Sequence, residues 1–409
     1  MSKQASSRWF RLAAGVILLV FAGVIYAWSI LKAPFGEAFG WSNSQLGLNF
    51  TLTMGFFCIG GILGSILLKR CSPRIAVILG GILCFLGFFL TARNQGSIAM
   101  LYLAYGVLSG CGIGIVYNVT ISTVGSWFPD KRTTASGCLM MGFGTSSLIL
   151  GALLQYLFST VGWRTAYTIL GISVLVILFI GSFFMAPAPA AAAVTANESV
   201  KNYRPSEMMR TGNFWLFYFL TIVTSAVGTC VISFAKDVAL SVGAAEGFAV
   251  FLVGALSVCN GISRLIFGWL FDAIGRRKTM LLASFVAIAA VLLMLGATTL
   301  HAVPLMVVGI VAVGASYGAM PTLSSGFVSS MYGPGFFSTN FSIANTMLVF
   351  SSFSSTIAGM ILGSSGNYTP VFLLLLLCAV IGLVLNLLIQ QKTRIRQGSV
   401  TLDLDTDPQ

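Results

Sequence analysis

The chain has 409 residues, of which 57% are hydrophobic and 8% charged, and its mean hydropathy is +0.95. A soluble domain carries roughly 25% charged residues, so this composition excludes an ordinary water-soluble globule. The formal net charge of +12 comes from short basic clusters between apolar runs, which argues against a nucleic-acid partner.

The apolar runs predict twelve membrane-spanning helices, because one span needs about 20 apolar residues. The first six lie near residues 9–32, 44–68, 74–93, 98–126, 133–158 and 164–186. The second six lie near residues 213–236, 246–271, 278–299, 303–330, 337–363 and 368–390. The first run is too long for the apolar part of a signal peptide and lacks a small-residue cleavage pattern, so we interpret it as a helix.

Residues 187–211 differ from the runs on either side. Two prolines and an alanine run are followed by a polar stretch, which is typical of a solvent-exposed linker. We therefore expect an all-α membrane protein with two pseudo-symmetric six-helix bundles, residues 1–186 and 212–392, joined by a cytoplasmic linker. The acidic tail, residues 393–409, is predicted to be cytoplasmic and disordered.

The eight cysteines form no CxxC pair and lie mostly within apolar runs. This pattern indicates packing roles, and we expect no disulfide framework, metal or cofactor.

The basic residues predict the orientation of the chain in the membrane. If the N-terminus is cytoplasmic, 17 of the 22 basic residues lie on the cytoplasmic side, four lie outside, and Arg264 falls within a span. The cytoplasmic set is Lys3, Arg8, Arg11, Lys69, Arg70, Arg74, Lys131, Arg132, Lys201, Arg204, Arg210, Arg276, Arg277, Lys278, Lys392, Arg394 and Arg396. The outer set is Lys32, Arg93, Arg164 and Lys236. The positive-inside rule thus predicts a multi-pass protein of the inner (cytoplasmic) membrane with both termini in the cytoplasm, and we expect it to act as a monomer in the lipid bilayer.

A ten-residue run between the eighth and ninth helices carries a signature. It reads Gly268-Trp269-Leu270-Phe271-Asp272-Ala273-Ile274-Gly275-Arg276-Arg277. In every fixed position it resembles the G-x-L-x-D-x-x-G-R-R signature of the major facilitator superfamily, which implies that superfamily's fold of twelve helices. Glycine allows a tight turn and close helix approach, and the Asp can cap the next helix or pair with basic residues. We expect a conformational latch made of Gly268, Asp272, Gly275, Arg276 and Arg277.

The corresponding run of the first half, Ser65 to Arg74, is degenerate. Lys69 stands where the family has Asp, and Ser72 stands where it has Gly. A latch on that side is therefore in doubt.

Arg264 is the main candidate for a functional residue. It lies eight residues before Asp272, about 12 Å from the cytoplasmic end of its helix. An arginine near the bilayer centre costs at least ~2.5–3.5 kcal/mol, so it must face protein or a wet cavity. No Asp or Glu falls within a predicted span away from its ends, and the sequence favours an anionic substrate or, as the alternative, a structural arginine bonded to helix carbonyls.

A narrower resemblance covers nearly the whole chain. The runs Trp127 to Arg132, Gly162 to Arg164 and Asn260 to Arg264 resemble the oxalate/formate antiporter branch, a relative of the monocarboxylate transporters. This resemblance implies that Arg264 binds a substrate carboxylate. It also implies that further residues line the cavity, namely Tyr26, Tyr117, Asn118, Asn260 and Tyr317, although packing roles remain open for each tyrosine and asparagine.

The eleventh helix departs from the oxalate antiporter, which has a lysine there. Leu348 aligns with that lysine, and the predicted helix contains no Lys or Arg. A dianion in a dehydrated cavity needs about two positive charges. The single arginine therefore favours a small monocarboxylate such as formate, acetate, lactate or pyruvate.

Asn260 bears on whether transport is coupled to a second anion or to a proton. The proton-linked monocarboxylate transporters carry an Asp at this position, and Asn cannot ionise. Return of the empty carrier with a buried arginine would be costly, which favours antiport of one anion for another. Proton symport is the alternative, with Asp237 as its candidate proton site.

Other function classes are less well supported. The spans hold no cluster of His, Asp, Glu and Cys that a membrane enzyme would need, so we expect no enzyme. The alternatives that stay open are an oxalate:formate-type dicarboxylate/monocarboxylate exchanger and a carboxylate sensor that does not transport. Glycines at four-residue spacing in the fourth helix, Gly106, Gly110 and Gly114, predict close packing of a neighbouring helix.

Overall fold

The structure is a computed structural model that describes residues 3–188 and 201–390, and these residues form an all-helical fold. The first six long helices are α1 (Lys3–Ala22, continued by a 3-10 stretch, Gly23–Ala27), α2 (Asn43–Arg70), α3 (Pro73–Ala92), α4 (Ile98–Gly125), α5 (Arg132–Val161) and α6 (Trp163–Ser182). The second six are α7 (Gly212–Ser241), α8 (Glu246–Ile274), α9 (Arg276–Leu300), α10 (Val303–Tyr332), α11 (Phe337–Ser365) and α12 (Thr369–Leu388). Short helices cover Trp28–Leu31, Ala33–Phe39 and Pro205–Met209.

The twelve predicted spans are confirmed for the described residues. Twelve helices there are long and apolar enough to cross a membrane. Their ends differ from the prediction at two places. The first span ends at Ala27 rather than near residue 32, and the short helix Trp28–Leu31 follows it without a break; a Cβ added at Gly23 would collide with the Phe143 carbonyl oxygen. Helix α7 runs to Ser241 rather than ending near residue 236, and Lys236 within it pairs with Glu246 at 2.9 Å.

The described residues divide into two compact units. The first holds α1 to α6 together with Arg264–Trp269 of α8. The second holds α7, the rest of α8 and α9 to α12. A short part of α8 thus packs mainly with the first six helices.

Helix α4 packs closely on α2 in the first unit. A Cβ added at Gly110 would lie 2.8 Å from the Thr53 carbonyl oxygen, and one added at Gly114 would collide with the Phe57 carbonyl oxygen. Only glycine allows the two backbones to approach this closely, which confirms the packing predicted from the four-residue spacing.

In the second unit, hydroxyl side chains join α7 to α11. The Thr229 and Ser354 hydroxyl oxygens lie 2.8 Å apart, as do those of Ser233 and Ser355. The Ser354 hydroxyl also donates to the Ala226 carbonyl oxygen at 3.1 Å. We call Thr229, Ser233, Ser354 and Ser355 the hydroxyl seam.

The described end of the predicted linker is bound to the second unit. The Tyr203 N–H donates to the Tyr332 carbonyl oxygen at 3.0 Å, and the Asn340 side-chain amide donates to the Tyr203 carbonyl oxygen at 3.0 Å. Tyr203 and Met208 are buried, whereas most side chains of residues 201–211 are exposed or half-buried, and the cytoplasmic linker stays a prediction. Residues 189–200 of the linker and the tail from residue 393 lie outside the described residues.

Candidate functional site

Arg264 is buried within α8. It stands ten residues before the end of the helix at Ile274, about 15 Å along the axis, and its exposure is 1%. Its Nη1 donates a hydrogen bond to the Met140 carbonyl oxygen of α5 at 2.9 Å. A Cβ added at Gly144 would lie 2.9 Å from Cζ of Arg264, so the guanidinium lies directly against the α5 backbone. The first unit thus contains a cation buried among protein groups, where its field is screened less than in bulk water.

Aromatic rings connect this cation to two of the predicted tyrosines. The Tyr26 ring centroid lies 5.8 Å from Cζ of Arg264, within the range of a cation–π contact. Phe143 packs edge-on against Tyr26 at 5.3 Å and against Tyr117 at 4.8 Å between ring centroids. Phe57 completes this cluster at 5.2 Å from Tyr117. The structure therefore brings Arg264, Tyr26 and Tyr117 into one connected group.

Sequence reasoning missed Phe143, Met140 and Gly144, which shape the surroundings of the arginine. The available signal was the run Gly142-Phe143-Gly144, in which two glycines flank an aromatic residue in the middle of a span. Nothing local marks Met140, because only its backbone carbonyl is used.

Asn118 follows Tyr117 on α4 and is buried. Its Oδ1 accepts a hydrogen bond from the Ser122 hydroxyl one turn later, at 3.4 Å. This contact orients the amide along its own helix.

Asn260 and Tyr317 belong to the second unit. Both residues are buried. A Cβ added at Gly318, the residue after Tyr317, would collide with the Asn260 carbonyl oxygen, so α10 lies directly against the α8 backbone at this point. A Cβ added at Gly228 would collide with Cβ and the ring of Tyr317, so this side chain lies directly against α7. Glycines of α7 and α10 therefore set the positions of both residues.

The latch residues surround the break between α8 and α9. Gly275 is both the C-cap of α8 and the N-cap of α9. Its φ is +87°, a backbone conformation in which a residue with a side chain would be strained. The N-cap position of α9 is thus Gly275 rather than Asp272, and the role of Asp272 in a latch stays a prediction. Arg276 donates to the Gln390 carbonyl oxygen at 3.5 Å, whereas Asp272 and Arg277 are exposed.

Gly268 belongs to the first unit. Its carbonyl oxygen accepts a hydrogen bond from the Thr134 hydroxyl at 3.4 Å. In the degenerate first-half run, Ser72 caps α3 by accepting from the Ile75 N–H at 3.4 Å. The serine that replaces the family glycine therefore starts the next helix.

Asp237 lies in the last turns of α7. The helix continues past it, but its side chain is exposed rather than turned into the unit.

Comparison with known proteins identifies the family. The family model of the Major Facilitator Superfamily matches residues 13–238 and 217–401, which together span most of the chain. The chain belongs to the Major Facilitator Superfamily. As a member of this superfamily it is a multi-pass membrane transporter, with twelve candidate spans in its described residues.

Curated relatives narrow the branch of the superfamily. The chain is 28% identical over 340 residues to the oxalate:formate antiporter of Oxalobacter formigenes, covering 80% of this chain and 79% of that protein. It is 28% identical over 344 residues to the uncharacterized MFS-type transporter YhjX of Escherichia coli K12, covering 84% and 85%. It is 27% identical over 347 residues to human monocarboxylate transporter 12, covering 76% and 66%. The chain is thus a transporter of the oxalate:formate antiporter and monocarboxylate transporter type.

Solved structures of the superfamily share the fold. The transporter FucP in its outward conformation superposes with a TM-score of 0.71 at 17% identity, covering 94% of this chain and 100% of that chain. The proton:xylose symporter XylE, bound to 6-bromo-6-deoxy-D-glucose, gives a TM-score of 0.72 at 14% identity, covering 94% and 95%.

Proposed function

We propose that the protein is a secondary transporter of small monocarboxylates, which binds the anion at Arg264 and works by alternating access. The observation that carries the proposal is the burial of this guanidinium, 1% exposed, far from either end of α8. A cation in hydrocarbon is expensive and marks an ion or substrate pathway by default. The oxalate:formate antiporter and the monocarboxylate transporters, both named for carboxylates, support this substrate class.

The remaining site residues have roles that follow from their chemistry. Guanidinium suits bidentate binding of a carboxylate, and Tyr26 beside it adds a hydroxyl and a ring face. We propose that Tyr117, Asn118, Asn260 and Tyr317 line the path of the anion. The latch residues Gly268, Asp272, Gly275, Arg276 and Arg277 would hold the cytoplasmic ends of the helices in one state.

Charge balance favours a monoanion. Helix α11, Phe337–Ser365, contains no Lys or Arg. One guanidinium matches one carboxylate, and a second carboxylate would be left uncompensated in a dry site.

The second candidate is a dicarboxylate/monocarboxylate exchanger. The observation in its favour is 28% identity to an oxalate:formate antiporter over 80% of this chain. Competition separates the two candidates, because oxalate should displace labelled formate from an exchanger of that type and leave a monocarboxylate transporter unaffected.

We further propose that transport is exchange of one anion for another. Asn260 stands one turn before Arg264 and cannot supply a titratable counter-charge for the return of an empty carrier. Asp237 is the residue that a proton symporter would use, and its exposed side chain at the end of α7 makes it the less favoured route. We place the protein in the inner membrane as a monomer with both termini in the cytoplasm, as the basic residues predict.

The experiment is a thermal-shift screen of the purified protein with formate, acetate, lactate, pyruvate, oxalate and malonate. Monoanions should raise the melting temperature, and the shift should vanish in Arg264→Ala. Arg93→Ala is the matched control, because Arg93 lies at the end of α3 and stacks on Phe89 at 4.7 Å. Stabilisation by dianions alone, or an unchanged shift in Arg264→Ala, would refute the proposal.

A further inference from the structure

Helix α4 contains a stretch of wide, π-helical turns. It covers Tyr102–Ser109, between regular α-helix at Ile98–Leu101 and Gly110–Gly125. A π-helical stretch is rare, and such stretches frequently mark functional sites. In this chain it packs between α2 and α3 of the first unit.

Three buried side chains at this stretch carry polar atoms that lack hydrogen-bond partners. Asn49 of α2, Tyr105 and Ser109 all have an exposure of 0%. Both amide atoms of Asn49 and the hydroxyl oxygens of Tyr105 and Ser109 make no hydrogen bond to the described residues. We call these three residues the polar cluster. Leaving buried polar groups unsatisfied destabilises the state that contains them, and it requires an explanation.

The polar cluster lies directly against the backbone of the π-helical stretch. A Cβ added at Gly106 would lie 3.2 Å from Oδ1 of Asn49, so the amide sits beside the middle of the stretch. On the other side, a Cβ added at Gly87 of α3 would lie 2.6 Å from the Ala104 carbonyl oxygen. The Tyr105 ring packs against the Trp28 ring, and the two ring centroids are 4.5 Å apart.

A change of this stretch to regular α-helix would alter which of its backbone groups face the polar cluster. Converting a π turn to α-helical turns shifts the register by one residue, which rotates the side chains and re-aims the carbonyl and N–H groups that face Asn49. In the present register the glycine at position 106 lets the stretch lie close to Asn49 of α2, since it has no side chain there.

We propose that the π-helical stretch of α4 is a register switch, in which the polar cluster gains hydrogen bonds when the stretch adopts α-helical register in another state of the transport cycle. This inference rests on the proposed function for its role in transport. A transporter must keep its states close in free energy, and unsatisfied groups in one state bring that state nearer to the next.

Isosteric substitutions test the switch, because they remove the polar atoms and keep the shape. Asn49→Leu, Tyr105→Phe and Ser109→Ala should each raise the melting temperature, by about 1–3 °C, since a buried group without a partner is removed. Each should also slow exchange of labelled formate in proteoliposomes several-fold, since the α-helical state loses its hydrogen bonds.

Tyr167→Phe is the matched control. Tyr167 is equally buried in the first unit, but its hydroxyl donates to the Leu31 carbonyl oxygen at 2.9 Å. Removing this hydroxyl should lower the melting temperature, in the opposite direction to Tyr105→Phe.

Three results would overturn the register switch. A lower melting temperature in Asn49→Leu would show that the amide is already bonded in this state, for example to buried water. Unchanged exchange in all three variants would remove the link to transport. Hydrogen exchange at residues 102–109 that is the same in wild-type protein and Asn49→Leu would show that the stretch does not change register. The thermal and hydrogen-exchange measurements need no substrate, so they separate failure of the switch from failure of the proposed function.

Discussion

The surroundings of Arg264 show how one side chain depends on the backbone of another helix. A Cβ at Gly137 would collide with the Arg264 carbonyl oxygen, and one at Gly144 would press on the guanidinium. Because both positions of α5 are glycine, the arginine can lie against this helix, and its Nη1 reaches the Met140 carbonyl oxygen at 2.9 Å. This bond pairs one N–H of the guanidinium with a neutral backbone acceptor.

The substitution Gly144→Ala tests this arrangement. The added methyl group would lie 2.9 Å from Cζ of Arg264 and must displace it. We expect anion affinity, measured by thermal shift against formate concentration, to fall at least about tenfold, or ~1.4 kcal/mol. Gly254→Ala on α8 is the control, because an added Cβ there meets nothing within 4 Å. Equal affinities in the two variants would show that the position of the guanidinium is not needed for binding.

At the scale of helices, the hydroxyl seam joins α7 and α11 through side chains of which those on α7 also bond within their own helix. The Thr229 hydroxyl lies 3.0 Å from the Ser225 carbonyl oxygen of its own helix and 2.8 Å from the Ser354 hydroxyl across the seam. Hydrogen bonds of this kind between membrane helices are weak because each group has a local alternative.

A double-mutant cycle measures the seam. Thr229→Val and Ser354→Ala should show a coupling free energy of about 0.6 kcal/mol in unfolding experiments. The Ser352 hydroxyl donates to the Val349 carbonyl oxygen within α11 at 2.6 Å, so Ser352→Ala combined with Thr229→Val should show no coupling. A coupling free energy of equal size in both cycles would show that the hydrogen bond between Thr229 and Ser354 adds no specific stabilisation.

At the scale of the whole molecule, the proposed exchange mechanism limits which states can interconvert. A loaded carrier moves with its buried charge balanced by the anion, whereas an empty carrier has no ionisable group at Asn260 to replace it. Uptake should therefore depend on an anion inside the vesicle.

Proteoliposomes test this dependence. Uptake of labelled formate into vesicles without internal anion should be at least about tenfold slower than uptake into loaded vesicles, since the return step with an unbalanced charge is raised by more than ~1.4 kcal/mol. Asn260→Asp should allow uptake into empty vesicles, and this uptake should rise as the external pH falls. Asp237→Asn is the control and should leave exchange unchanged. Fast uptake into empty vesicles by the wild-type protein, with proton movement, would contradict exchange.

Much of the fold could be predicted from local sequence. The twelve spans follow from apolar length, and the close contact of α4 with α2 follows from the spacing of Gly106, Gly110 and Gly114. The burial of Arg264 could also be predicted, because it stands in the middle of an apolar run. The burial of Tyr203 could not, since this depends on a hydrogen bond to Tyr332, a residue far along the chain.

The sequence by itself determined the class of molecule, the number of spans and the position of Arg264 in the middle of the eighth span, because length, hydropathy and charge are properties of neighbouring residues. Only the tertiary structure decided the partners of that cation. The Met140 carbonyl oxygen stands 124 residues from Arg264, and which backbone a guanidinium meets depends on how α8 packs. The same holds for the polar cluster, because a hydrogen bond is short and directional and no sequence pattern states which groups lie within its reach.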